Sequence, residues 1–174
     1  MQTHDFEKNK HMKLLICYGS ENGYAKSISE KLYETLSFLN KEIKEANSFE
    51  DVSKLNNYDI VIFIFSTCLL GRFPKNSQKF WNKLIGYENN LNFKYCVLGI
   101  GDISYNDFCT PAKKVNNKLS LYPNCTQIYN LTLLDDSIDH EKILKEWINN
   151  IIYITKDLET NVKIWFSNNM NINL

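Results

Sequence analysis

Three runs constrain this chain more than anything else in it: "KLLICY" (Lys13–Tyr18), "DIVIFIFS" (Asp59–Ser66) and "YCVLGIG" (Tyr95–Gly101). Each is almost continuously apolar, and the middle one is dominated by β-branched residues and phenylalanine. A strand with one wet face alternates apolar and polar side chains. A strand that is apolar at nearly every position needs cover on both faces, which is the condition of a parallel sheet buried between helices. Helical patterns follow these runs. Ala25, Ile28, Leu32, Leu36 and Leu39 share one helical face. Phe80, Trp81 and Leu84 mark a helix over 76–84, and Ala112, Val115, Leu119 and Leu121 mark another. Ile143, Leu144, Trp147, Ile148 and Ile151 mark the last, started by Asp139 or His140. Weaker signals place an edge strand in "EIKEA" (42–46), a short helix capped by Ser48 in "SFEDVSKL" and a fifth strand in "TQIYNL" (126–131).

Strand followed by helix, five times over, predicts an α/β three-layer sandwich with a five-stranded parallel sheet. A chain of 174 residues fits one such domain. The expected organisation is a flexible N-terminal extension over 1–12, the domain over 13–152 and a C-terminal extension over 153–174 that ends in a frayed "SNNMNINL". Twenty basic residues balance twenty acidic ones, so the chain has no basic excess for nucleic acid. No apolar run reaches membrane-spanning length, and the polar "MQTHDFEKNKHMK" has no apolar signal segment. Five cysteines without C-x-x-C spacing suit a reducing, cytoplasmic location.

In open α/β sheets ligands bind beyond the carboxyl ends of the strands, so the turns after the strands carry the information. In "GSENGYAKS" Ser20 and Ser27 offer hydroxyls, Gly19 and Gly23 permit a tight turn, and the helix starting near Tyr24 adds free N–H groups and its positive end. That is an anion site built from neutral donors, suited to a terminal phosphate. It matches neither the P-loop nor the dinucleotide pattern, and an ordinary capped turn would read the same way. "GIGDISYNDF" sets Gly99 and Gly101 where backbone can approach a ligand and presents Tyr105 and Phe108 on the same rim. Tyr105 is placed as a stacking plate for a flat ring, or packs back on the core. "FSTCLLGRFPKN" opens with two hydroxyls at a strand end. Together the loops describe a mononucleotide site with a flat head group.

At this point the chain resembles the flavodoxin-like FMN domains, the family of flavodoxins, MioC-type short chains and the FMN domains of sulfite reductase and diflavin reductases. The resemblance covers about residues 13–152. "YGSENGYA" resembles the phosphate loop. "STCLLGRFPKN" is similar to S-T-x-G-x-G-x-x-P-x-N, "GIGDISYNDFCTPA" to G-x-G-D-x-x-Y-x-x-F-C-x-A, and "LTLLDDSIDHEKILKEW" to the acidic loop and final helix. The resemblance implies strand order 2-1-3-4-5 and non-covalently bound FMN. By position it implies Ser20, Glu21, Asn22, Gly23, Tyr24 and Ala25 around the phosphate. Ser66, Thr67, Cys68, Leu69 and Gly71 would lie along one side of the ring system. Gly99, Gly101, Asp102, Tyr105 and Phe108 would lie along the other, with Tyr105 stacking and Asp136 near the rim. It implies an electron carrier or accessory component rather than a stand-alone enzyme, with no catalytic side chain and no metal, since the cofactor does the chemistry.

The middle loop departs from the pattern. Cys68 stands where an aromatic or Thr is usual, Leu69 where Gly is usual, and Arg72, the single arginine, where an acid is usual. If residue 69 requires a positive φ, Leu there is strained by roughly 1 kcal/mol. Cys68 reads best as a small filler. The expected function is single-electron transfer from a separate NAD(P)H-dependent flavoprotein reductase to a metalloenzyme or other redox acceptor protein. Asp102, Asp107, Asp135, Asp136 and Asp139 would dock a basic partner. The alternative is a scaffold or regulatory protein that keeps the fold with weak or lost FMN binding. A flavin-dependent quinone reductase stays open. A phosphoacceptor receiver is set aside, because the third strand ends in Ser66 and Thr67 rather than Asp.

Overall fold

The computed structural model describes residues 11–170, with side chains to residue 165. Its strands are β1 (Lys13–Gly19), β2 (Asn40–Glu45), β3 (Ile60–Ser66), β4 (Lys94–Gly101), β5 (Thr126–Gln127) and β6 (Thr132–Asp135). Its helices are α1 (Tyr24–Thr35), α2 (Lys75–Ile85), α3 (Thr110–Leu119) and α4 (Glu141–Met170). The sheet runs β2-β1-β3-β4-β5, and β6 pairs with β4 along the same edge as β5. Every ladder is parallel, with Ile16 beside Ile62 and Ile62 beside Cys96 in the centre. This is the expected three-layer fold and strand order.

The continuous apolar run of β3 serves two cores. Val61, Phe63 and Phe65 point to the layer of α2 and α3, where they meet Phe80, Leu84, Ala112 and Val115. Ile60, Ile62 and Ile64 point to the layer of α1 and α4, against Ile28, Leu32, Trp147 and Ile151. Because side chains alternate along a strand, a helix on each side is the arrangement that buries both sets.

Four local expectations need correction. "SFEDVSKL" forms two short 3₁₀ turns, Ala46–Ser48 and Val52–Asn57, instead of a helix. Asp51 caps the second by accepting from the Ser53 amide, while the Ser48 hydroxyl donates back to the Glu45 carbonyl. The fifth strand is split into β5 and β6, because Ile128 and Tyr129 turn into the α1/α4 layer. Leu121 lies past the end of α3 and is exposed.

The last helix does not stop near residue 152. Ile151, Thr155, Leu158, Glu159 and Val162 continue its inward stripe past that point. Glu159 is 4 % exposed and accepts from the Met12 amide at 3.1 Å. It also meets His11 Nδ1 at 3.0 Å and Lys163 Nζ at 3.4 Å. A buried carboxylate held by so many donors ties the lower half of α4 to the start of β1. Residues 1–10 of the N-terminal extension and 171–174 of the tail lie outside the described residues. Among those described, no helix is long and apolar enough to cross a membrane.

Candidate functional site

The loops after β1, β3 and β4 enclose a cavity of about 680 Å³ at the carboxyl edge of the sheet, within the ~300–1,000 Å³ typical of small-molecule sites. The first loop forms its floor. Gly23 holds the αL conformation (φ 85°) immediately before α1, so the chain reverses into the helix with the first-turn amides of α1 facing outward. The Ser20 amide donates to Asn76 Oδ1 at 2.9 Å, bracing the loop on α2. The Ser20 hydroxyl is buried and has no hydrogen-bond partner among the described residues. Glu21 takes partners of its own. Its carboxylate accepts from the Lys75 amide at 3.0 Å and from the Cys68 thiol at 3.7 Å, and the Lys75 bond holds it below the usual carboxylate range.

Ser20, Glu21, Asn22 and Tyr24 line the cavity. Gly23 shapes the turn without lining it, and Ala25 is buried in the α1/α4 layer. The Tyr24 hydroxyl meets His140 Nε2, with the two rings edge to face. His140 Nδ1 faces the Ile138 carbonyl at 2.8 Å. A donor Nδ1–H there leaves Nε2 to accept from the tyrosine. Burial and the charge of Asp136 push the Tyr24 hydroxyl's pKa up.

The middle loop closes one wall. Ser66 ends β3, and Thr67 donates to the Ile100 carbonyl at 2.9 Å. Cys68 and Arg72 then pair across a tight turn, with the Cys68 amide donating to the Arg72 carbonyl at 3.0 Å. The left-handed non-glycine residue of this turn is Leu70 (φ 61°), not Leu69, and Gly71 beside it is also left-handed (φ 66°). The positive φ that would strain Leu69 is not needed there and falls one residue later, on Leu70. Leu69 and Leu70 are 70 % and 82 % exposed. Arg72 lines the cavity and braces the turn, donating from Nε to the Leu69 carbonyl at 3.1 Å. Burial and the neighbouring Glu21 push the Cys68 thiol up, away from a reactive thiolate.

The third loop supplies the opposite wall. Gly101, Asp102, Tyr105 and Phe108 line the cavity. Tyr105 is 61 % exposed on the rim and does not pack back on the core. Asp102 is occupied by the Ser104 amide and hydroxyl. Gly99 does not reach the cavity. A side chain there would meet Ala112 Cβ at 2.6 Å, so it serves the packing of α3 on β4. Asp136 lines the rim, its amide donating to the Gly101 carbonyl at 2.9 Å. Burial, and then the charge of Asp102, raise its carboxyl pKa.

Sequence reasoning left Leu70, Arg72, Ile100, Asn106 and Asp107 off the lining. It also left out the bracing roles of Asn76 and His140. Asn76 had a signal, the final Asn of the "STCLLGRFPKN" pattern. His140 had none, since 116 residues separate it from Tyr24.

A doubly wound parallel sheet, with an anion-ready turn after β1 and an aromatic rim after β4, defines a mononucleotide-binding α/β protein. The sequence profile of the flavodoxin family matches residues 16–147, and the chain belongs to that family, whose domains bind FMN. It is 36% identical over 113 residues to a mitochondrial pyruvate dehydrogenase [NADP(+)] of Euglena gracilis, covering 60% of this chain and 6% of that protein. It is 28% identical over 154 residues to the sulfite reductase [NADPH] flavoprotein alpha-component of Buchnera aphidicola, covering 87% of this chain and 25% of that one. The chain thus spans a quarter or less of the length of these relatives. A flavodoxin of Streptococcus pneumonia TIGR4 superposes with a TM-score of 0.67 at 22% identity, over 86% of this chain and 99% of that one, a likeness of fold.

Proposed function

We propose that this protein binds FMN in the cavity between its three loops and carries single electrons from an NAD(P)H-dependent flavoprotein reductase to a metalloenzyme or other redox acceptor. The observation that carries the reading is the Ser20 hydroxyl, which is buried and unpartnered beside the open amino end of α1. A buried hydroxyl without a partner is costly unless a ligand completes it, and a phosphate oxygen there would also meet the helix's free amides. Ser20, Asn22 and the Tyr24 amide would hold the phosphate, on the turn that Gly23 shapes. Leu69 and Tyr105 offer apolar faces on either side of a flat ring, with Thr67, Gly101 and Asp102 between them. Bound FMN supplies the one-electron chemistry, and the chain's own residues bind, orient and shield it.

The rim supports the partner assignment. Leu69, Leu70, Ile103, Tyr105 and Ile138 are exposed apolar residues on the loops after β3 and β4 and the turn beyond β6. Asp102, Asp107 and Asp136 lie among them, with Arg72 as the one arginine nearby. An apolar centre edged by carboxylates fits a partner with an apolar patch edged by Lys and Arg. All five cysteines are free thiols, which fits a reducing, cytoplasmic setting.

The test is a fluorescence titration of the protein with FMN and, separately, with riboflavin. Quenching of FMN at much lower protein concentration than riboflavin is the expected result. Equal binding of both removes the phosphate assignment. The strained Leu70 turn favours a second reading, a flavodoxin-fold scaffold with weak or lost FMN binding, and quenching of neither flavin would put that reading first.

A further inference from the structure

We infer that Glu21 is a positioning residue: its carboxylate is a strut that locks the first loop to the start of α2 and to the turn at 68–72, without itself touching the ligand. The inference takes its ligand from the FMN reading but its geometry from the loop alone.

A carboxylate in an anion-binding loop is the wrong sign for a ligand group, so its retention there needs another reason. The bonds supply one. Glu21 Oε2 accepts from the Lys75 amide at 3.0 Å, capping the first residue of α2 from a different loop. The residue before α2 is Pro74, whose side chain offers no acceptor, so the helix takes its cap from 54 residues away. The same oxygen receives the Cys68 thiol at 3.7 Å. The Glu21 amide faces Ser66 Oγ at 3.4 Å. One residue earlier, the Ser20 amide donates to Asn76 Oδ1 at 2.9 Å.

The two bonds to α2 run in opposite directions, with loop amide to α2 side chain at Asn76 and α2 amide to loop side chain at Glu21. Such a reciprocal pair sets both the distance and the twist between the two segments, as a capping box does within one helix. The Ser20 hydroxyl and the amides after it are therefore aimed by α2 as much as by α1. The link through Cys68 carries the same constraint to the turn that bears Leu69. The negative charge is offset by the amino end of α2 and by the nearby cations Lys75 and Arg72.

The test compares Glu21→Gln with Glu21→Ala in the full chain. Glu21 is exposed, so neither change disturbs the core. Gln keeps an oxygen acceptor for the Lys75 amide and removes the charge. Ala removes both. In FMN-free protein, hydrogen exchange of the Lys75 amide should speed up about tenfold in the Ala variant and stay near the original rate in Gln. In flavin titrations the Ala variant should bind FMN about tenfold more weakly, with riboflavin little changed. The Gln variant should bind FMN about as well as the original protein, or about two- to fivefold tighter with one anion fewer beside the phosphate. An unchanged Lys75 exchange rate in the Ala variant, or a Gln variant as impaired as Ala, overturns the strut. If the original protein binds neither flavin, the FMN reading fails and the exchange measurement alone decides the strut.

Discussion

The first loop and the turn at 68–72 border one cavity, and they are built on different principles. Around Ser20 and Glu21 polar groups find partners on other elements: Asn76 and Lys75 of α2, Ser66 at the end of β3 and Cys68 of the turn. The one buried group left over is the Ser20 hydroxyl. The backbone of the turn at 68–72 closes on itself, Cys68 to Arg72 and Arg72 to Leu69, and the Cys68 thiol ties it to Glu21 of the first loop. It holds two leucines in solvent and one of them in a left-handed backbone. A loop braced from outside keeps its donors aimed before any ligand arrives, which is how binding energy is retained for the ligand. A strained turn with exposed apolar side chains contributes little to holding an anion. With its base tied to Glu21, its exposed tip at Leu69 and Leu70 is the part left to adjust to what packs against it, whether a ring or a partner protein.

The largest effect should come from breaking the braced side. Ser20→Ala removes the buried, unpartnered hydroxyl and should weaken FMN about 10- to 100-fold while leaving riboflavin nearly unchanged, as read by paired fluorescence titrations. Equal losses for both flavins would mean that the hydroxyl does not see the phosphate. Tyr105→Ala tests the aromatic rim and should weaken both flavins alike, by about three- to tenfold. A loss confined to FMN would place Tyr105 elsewhere than over the ring.

Leu70→Gly sharpens the comparison from the strained side. It relieves the left-handed backbone at an exposed position and gives back part of that gain as chain entropy. The free protein should become about 0.5–1 kcal/mol more stable in urea denaturation, with FMN binding little affected. A destabilised Leu70→Gly would show that the leucine packs on something that matters. The smallest effect concerns pH. Burial and Asp102 raise the folded pKa of Asp136 above its unfolded value, so folding favours the protonated form. Stability tied to this group is present below the unfolded pKa and is lost as pH rises through the folded one. Asp136→Asn should therefore raise the thermal midpoint slightly at pH 7 and leave it unchanged near pH 3. A gain of the same size at both pH values would point to packing rather than charge.

Much of this was readable in the chain. The continuous apolar runs of β1, β3 and β4 demanded cover on both faces, and the helical stripes at Ala25–Leu32 and Leu144–Ile151 supplied half of it. The loops that line the cavity follow from where those strands end. Such signals are legible because they repeat within a few residues and reflect burial, which side-chain hydrophobicity reports directly. The extension of α4 past residue 152 was harder, since Thr155 and Glu159 hide an inward stripe behind polar names: the Thr155 hydroxyl is satisfied by the Ile151 carbonyl of its own helix, and Glu159 by the Met12 amide ahead of β1.

What only the tertiary structure decided are contacts between distant positions. It put the strain on Leu70 instead of Leu69, because the pairing of Cys68 with Arg72 sets which residue of the turn must reverse. It moved Gly99 out of the cavity and under Ala112. It turned Glu21 from an expected phosphate neighbour into a cap for α2, and it joined Tyr24 to His140. A hydrogen bond depends on a few tenths of an ångström and on direction, and neither exists until the layers have packed. Burial patterns alone therefore determined the sheet and the ends at which its loops lie, while the packed layers decided which side chains in those loops face the ligand and which hold the others in place.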